Sequence, residues 1–95
     1  PDQNYWASEL KRGFKNNTVP AYMHDALMDY VVERRIPGHF LTAVLENDLR
    51  EAVVQADDAN LDALGNWVKV LYNYCPSHSW GSHSRVRAWC RGEEY

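Results

Sequence analysis

Apolar residues in this chain recur at three-, four- and five-residue steps, and no segment alternates apolar and polar residues at period two over several positions. That spacing builds stripes on helices and cannot build a half-buried strand. Pro and Gly then cut the pattern into short pieces, because Pro cannot continue a helix and Gly readily takes positive φ. The expected fold is all-α: one compact bundle of five or six short helices, a single domain over residues 1–95 with no repeat of twenty or more residues.

The pieces follow from local signals. Asp2 caps a first helix that Gly13 stops after about Arg12, and a polar loop from Lys15 to Thr18 completes an N-terminal unit of residues 1–19. Pro20 suits a first helical position with Thr18 near the cap. Tyr22, Met23, Ala26, Leu27, Tyr30 and Val31 then mark one face of a helix that ends near Arg35, before Ile36, Pro37 and Gly38. Phe40, Leu41, Val44, Leu45, Leu49, Ala52, Val53 and Ala56 would share one stripe on a continuous helix, but Asp48 falls in its middle, where an unpaired carboxylate costs several kcal/mol. Asp48 and Glu51 have the spacing of a capping box. The expectation is therefore two helices abutting at Asn47 and Asp48, with Asp48 as a structural cap; the alternative is a buried pair with the backbone or Trp side chain of the SWGS loop, and in neither case is it catalytic. Asp57 and Asp58 cap a helix whose stripe is Leu61, Leu64, Val68, Leu71, Tyr72 and Cys75, ended by Pro76. Ser82 caps a last helix with Val86, Trp89 and Cys90 inward, and residues 92–95 read as a frayed tail.

Charge is unevenly spread. The net charge is −3, yet Glu46, Asp48, Glu51, Asp57, Asp58 and Asp62 crowd one stretch that holds only Arg50, and residues 63–92 carry no carboxylate beside Lys69, Arg85, Arg87 and Arg91. The acidic total argues against a duplex nucleic-acid footprint. No apolar run exceeds three residues, which excludes a membrane span or a secretory leader in this sequence and suggests a cytoplasmic protein. Two cysteines are too few for a disulfide scaffold. Four Trp, six Tyr and two Phe are many for 95 residues, so some aromatics should reach the surface and serve an interface.

The segments PGHFLTAVLENDLREAV (Pro37 to Val53), LYNYCPSHSWGS (Leu71 to Ser82) and VRAW (Val86 to Trp89) resemble a family of short, uncharacterised proteins encoded by bacteriophages and prophages. The likeness spans roughly Tyr22 to Trp89 and carries no catalytic motif. It implies a binding role in the host cytoplasm, directed at host enzymes, defence complexes, nucleic acid or the nucleotide signals of defence systems.

Among possible chemical sites, Cys75, His78, His83 and Cys90 have the ligand types of a zinc centre, but both cysteines sit on apolar stripes and read first as core thiols. A thiol nucleophile lacks an orienting third group. No cofactor is implied, since neither a P-loop nor a dinucleotide fingerprint is present. A ligand site is expected instead at two helix-start corners, around Gly38 and around Trp80 to Arg87. There Arg34, Arg35, Arg85 and Arg87 would hold an anion, while His39, Phe40, Tyr74 and Trp80 would offer stacking faces. The alternative, which helix ends favour, is that Phe40 and Trp80 plug the core, the arginines are solvated and His39 is a hydrogen-bonded turn residue. The expected function is a non-enzymatic counter-defence protein that sequesters a nucleotide signal or masks a host defence protein. The alternative is a structural or assembly protein acting through protein contacts; a homo-oligomer is expected in either case.

Overall fold

A computed structural model describes residues 3–93. Among them are seven α-helices, two 3-10 turns and no strand: α1 (Gln3–Asn16), α2 (His24–Glu33), α3 (His39–Leu45), α4 (Leu49–Gln55), α5 (Asp58–Asp62), α6 (Leu64–Tyr74) and α7 (His83–Cys90), with 3-10 turns over Ala21–Met23 and Ser77–Ser79. The fold is all-α, with one more short helix than the upper sequence count because the segment after Asp57 divides at Ala63 into α5 and α6. α1 packs on α2 and α6, and α3 lies against α4, α6 and α7. One apolar core joins them, with Leu10, Leu27, Tyr30, Leu41, Leu45, Trp67, Leu71 and Val86 fully enclosed.

Gly13 does not stop the first helix. α1 runs on to Asn16, and Gly13 is buried inside it because the Tyr74 ring lies across it: a Cβ at that position would stand 2.8 Å from Tyr74 Cδ2. The glycine signal reported a close approach between α1 and α6 rather than an end. The Asp2 cap lies outside the described residues.

α2 also differs in its limits. Pro20 precedes the 3-10 turn as its cap instead of entering the helix, and the α-helix proper ends at Glu33, ahead of Pro37 and Gly38. Arg34 takes the left-handed conformation at φ 61°, which lets Arg34 N–H reach Tyr30 O at 3.0 Å and Arg35 N–H reach Asp29 O at 3.3 Å. A left-handed non-glycine residue is costly, and the Arg34 side chain is anchored on Trp89.

The break between α3 and α4 has the expected mechanism. Asp48 accepts a hydrogen bond from Glu51 N–H at 3.1 Å as the N-cap of α4, and Asn47 supplies a left-handed residue at φ 64°. The carbonyl of Leu45, freed by the break, accepts instead from Gly81 N–H at 2.7 Å. Gly81, at φ 116°, is a residue that only glycine fits without strain. This bond ties the Trp80 loop to the end of α3. Ser82 caps α7 by accepting from Arg85 N–H at 3.2 Å. Residues 92 and 93 are held rather than frayed, since Gly92 N–H bonds Trp89 O at 3.0 Å and Glu93 N–H bonds Ala88 O at 2.9 Å.

The inward face of α5 and α6 is rotated from the expected stripe. Asn60, Ala63, Trp67, Val70 and Leu71 are buried, whereas Leu61, Val68 and Tyr72 are exposed. Trp67 decides the rotation: it is the largest fully buried side chain, and its indole N–H donates to the buried Asn60 Oδ1 at 3.0 Å. Burying an indole with its N–H satisfied outweighs burying Leu61 or Val68. On α4 only Ala52 is buried, so Leu49 and Val53 also face outward.

Candidate functional site

Of the two corners singled out in the sequence, the turn before α3 shares a cleft with Arg87 of α7, whereas the Trp80 loop is tied to the opposite end of α3. α3 begins at the Pro37–Gly38 turn, and α7 crosses it so that Arg87 faces the same cleft as Ile36, Pro37 and His39. Thr42, Ala43 and Glu46 of α3 and Glu51 of α4 complete the lining of a cleft of about 420 Å³. His39, Thr42, Ala43 and Glu46 line it because residues at i, i+3, i+4 and i+7 share one helical face.

A chain of polar contacts organises this cleft. His83 Nδ1 lies 2.7 Å from Glu46 Oε2, and His83 Nε2 accepts from Arg87 Nε–H at 3.3 Å. Since an arginine can only donate, Nε2 is the bare nitrogen and Nδ1 carries the proton toward Glu46. The guanidinium is thereby held at the cleft, one helical turn from the histidine that fixes it. Glu51 is steadied by Gln55 Nε2 at 2.9 Å, and the Thr42 hydroxyl donates to Pro37 O at 3.0 Å. The lining thus presents both signs of charge, with Arg87 against Glu46 and Glu51, and its one hydroxyl is engaged with the backbone.

Of the eight residues proposed for ligand binding, this cleft gathers His39 and Arg87. Arg34 is placed elsewhere: its guanidinium lies over the Trp89 indole at 3.6 Å, and Nη1 donates to Trp89 O at 3.3 Å. Arg35 is exposed and lies 3.9 Å from Asp29. Phe40 is 6% exposed and meets Trp67 edge-on in the core, so it offers no stacking face. Tyr74 packs on α1 under Arg12 and accepts from Asn16 Nδ2 at 3.0 Å. Trp80 lies half-buried against the core, and Arg85 Nη1 reaches back to its carbonyl at 3.4 Å. The aromatics are dispersed because each fills a different seam between helices, a choice that helical spacing does not encode.

The zinc alternative is not assembled. Among the described residues no cluster of three or more His, Cys, Asp or Glu is placed to hold a metal ion. Cys75 is buried, and burial pushes its thiol well above the usual range; His78 is exposed on the 3-10 turn, and His83 is engaged with Glu46 and Arg87. Asp48 is a cap, as its spacing with Glu51 implied.

Glu46, Glu51 and Thr42 are not among the site residues expected from the sequence, although the polar positions His39, Thr42 and Glu46 are visible as one face of α3. The pairing of Glu46 with His83 spans 37 residues and leaves no local trace. A second cleft, of about 550 Å³, runs between residues 18–22 and α5 and α6. Tyr22 stands on its rim, hydrogen-bonded to Asp57, and none of the eight expected residues lines it.

No helix among the described residues is long and apolar enough to cross a membrane. Compared with protein-family models, curated proteins and solved structures, the chain matches none, so the site is read from its own residues.

Proposed function

We propose that this chain is a non-enzymatic protein-binding domain that takes a polypeptide segment of mixed charge into the cleft between α3 and α7. The observation that carries this reading is the Glu46–His83–Arg87 chain, which holds a carboxylate and a guanidinium at fixed separation beside His39. Preorganised charges of both signs favour a partner that supplies the complementary pair, and they set specificity more than affinity. In the phage setting that the sequence resemblance implies, the partner would be a host defence protein masked in the cytoplasm.

The same lining disfavours a nucleotide. Glu46 and Glu51 would repel phosphates, and Phe40, Tyr74 and Trp80 are not among the cleft residues. Affinity purification from host extract with the wild-type chain and with Arg87→Glu and Glu46→Lys identifies the partner, whose purified form is then titrated. Both substitutions are expected to weaken binding by about tenfold or more, with Lys11→Glu on α1 without effect. A thermal shift with cyclic dinucleotides or ADP-ribose derivatives, lost in Arg87→Glu, would overturn the reading in favour of nucleotide sequestration.

A further inference from the structure

The outward face of α5 and α6 is exposed along its length and takes no part in the cleft between α3 and α7. Asp58, Leu61 and Asp62 occupy it on α5, and Gly65, Val68, Lys69 and Tyr72 continue it on α6; all seven are exposed. Their three- and four-residue steps are those of one helical face. Ala63 interrupts the helix for a single residue, at φ −94° and ψ 7°. Leu61, Val68 and Tyr72 are 43%, 45% and 77% exposed, and Leu49 of α4 adjoins Leu64 and Val68 to widen the apolar strip.

Gly65 lies at the centre of this face. A glycine within a helix costs stability relative to alanine, and at Gly13 the Tyr74 ring accounts for it. At Gly65 the backbone is helical and a Cβ would meet nothing within 4 Å. Neither backbone conformation nor packing within the chain calls for glycine there. A bare position on a helix face is where the backbone of a second helix approaches closely.

The charges select the second helix. Counted outward from Gly65, the three-step neighbours are Asp62 and Val68, the four-step neighbours Leu61 and Lys69, and the seven-step neighbours Asp58 and Tyr72. Reversing the face about Gly65 therefore sets the carboxylate end against the ammonium and phenol end. Among the described residues, the side chains of Asp58, Asp62, Lys69 and Tyr72 have no hydrogen-bond or ion-pair partner within the chain. A parallel arrangement would instead oppose Asp58 to Asp58 and Asp62 to Asp62, which is unfavourable.

We propose that two copies of this chain form a twofold-symmetric dimer in which the α5–α6 faces pack antiparallel across Gly65. Asp62 lies one position from direct opposition to the partner subunit's Lys69, within reach of its long side chain, and Asp58 accepts from the phenol of the partner subunit's Tyr72. Each contact occurs twice, as an isologous interface requires. Leu61 and Val68 fill the strip between these pairs, and the small area of two short helices makes the association concentration-dependent.

Sedimentation of the full chain between roughly 1 µM and 1 mM tests this, the span over which a contact of this size dissociates. A monomer–dimer equilibrium is expected. Asp62→Lys and Lys69→Asp should each weaken dimerisation about tenfold or more, and the combination of both should restore it to within about threefold, because the pairs reform with reversed signs. Gly65→Leu should abolish the dimer while circular dichroism and a cooperative thermal melt show the folded monomer. A chain that stays monomeric to 1 mM would overturn the proposal, as would a dimer indifferent to Gly65→Leu or to the charge exchange.

Discussion

The guanidinium of Arg34 lies 3.6 Å from the centre of the Trp89 ring, and the two residues fasten α2 to α7 reciprocally. Arg34 Nη1 donates to Trp89 O at 3.3 Å and to Glu93 O at 3.4 Å, while Trp89 Nε1–H donates to Tyr30 O at 2.9 Å. The same arginine carries the left-handed backbone that ends α2. Arg34→Ala is expected to cost on the order of 1–3 kcal/mol through loss of the cation–π contact and the carbonyl bonds. Arg34→Gly loses the same contacts but relieves the backbone, so it should be the less damaging of the two by up to about 1 kcal/mol. Urea denaturation of the three proteins checks the order.

α4 depends heavily on its cap. It has seven residues and buries only Ala52, so the Asp48 side chain bound to Glu51 N–H is a large share of what holds it. Asp48→Ala should cost about 1 kcal/mol and Asp48→Asn much less. Amide exchange across Leu49–Gln55 is expected to accelerate in Asp48→Ala while exchange in α6 follows only the global change.

The two helical glycines should respond oppositely to alanine. In Gly13→Ala the new methyl meets the Tyr74 ring at 2.8 Å, and overpacking of this kind costs about 1–3 kcal/mol. Gly65→Ala enters open space and should stabilise the dilute monomer by up to about 1 kcal/mol. Adding Tyr74→Leu to Gly13→Ala should recover part of the loss in a double-mutant cycle, which isolates the ring contact.

Stability should fall at alkaline pH. Burial raises Cys75 above its ordinary value of 9.0 and Tyr30 above its ordinary value of 10.0. The native state therefore keeps these protons while the unfolded chain loses them. The contribution is fully present below about pH 9 and declines as pH rises, by about 1.4 kcal/mol per pH unit for each group that only the unfolded chain has ionised. Denaturant melts from pH 7 to 11 should show the thiols acting first and Tyr30 from about pH 10; Cys75→Ala should reduce the earlier part of the slope, to which the partly buried Cys90 also contributes. A thiol reagent at pH 7 should label Cys75 only at the rate of unfolding, because the reactive thiolate does not form in the buried site.

The elements of this fold were written locally. The cap at Asp48, the cap at Ser82, the cap at Asp57 and the stop at Pro76 all act within three or four residues, a range over which sequence and backbone conformation are directly coupled. So are the polar face of α3 and the arginines of α7, whereas the approach of Arg87 to the Pro37–Gly38 turn is not. Which of several apolar arcs turns inward was not local. α6 carries apolar residues around more than half its circumference, and Trp67 bonded to Asn60 chose the buried arc, leaving Leu61, Val68 and Tyr72 outside. Gly13 could read as a stop until the Tyr74 ring was seen to need its space, and Arg34 could read as an anion ligand until Trp89 was seen beneath it. Caps and breaks are decided by neighbours along the chain, whereas partnerships such as Glu46 with His83, 37 positions apart, and the approach of Tyr74 to Gly13 depend on residues whose arrival only the packed structure specifies.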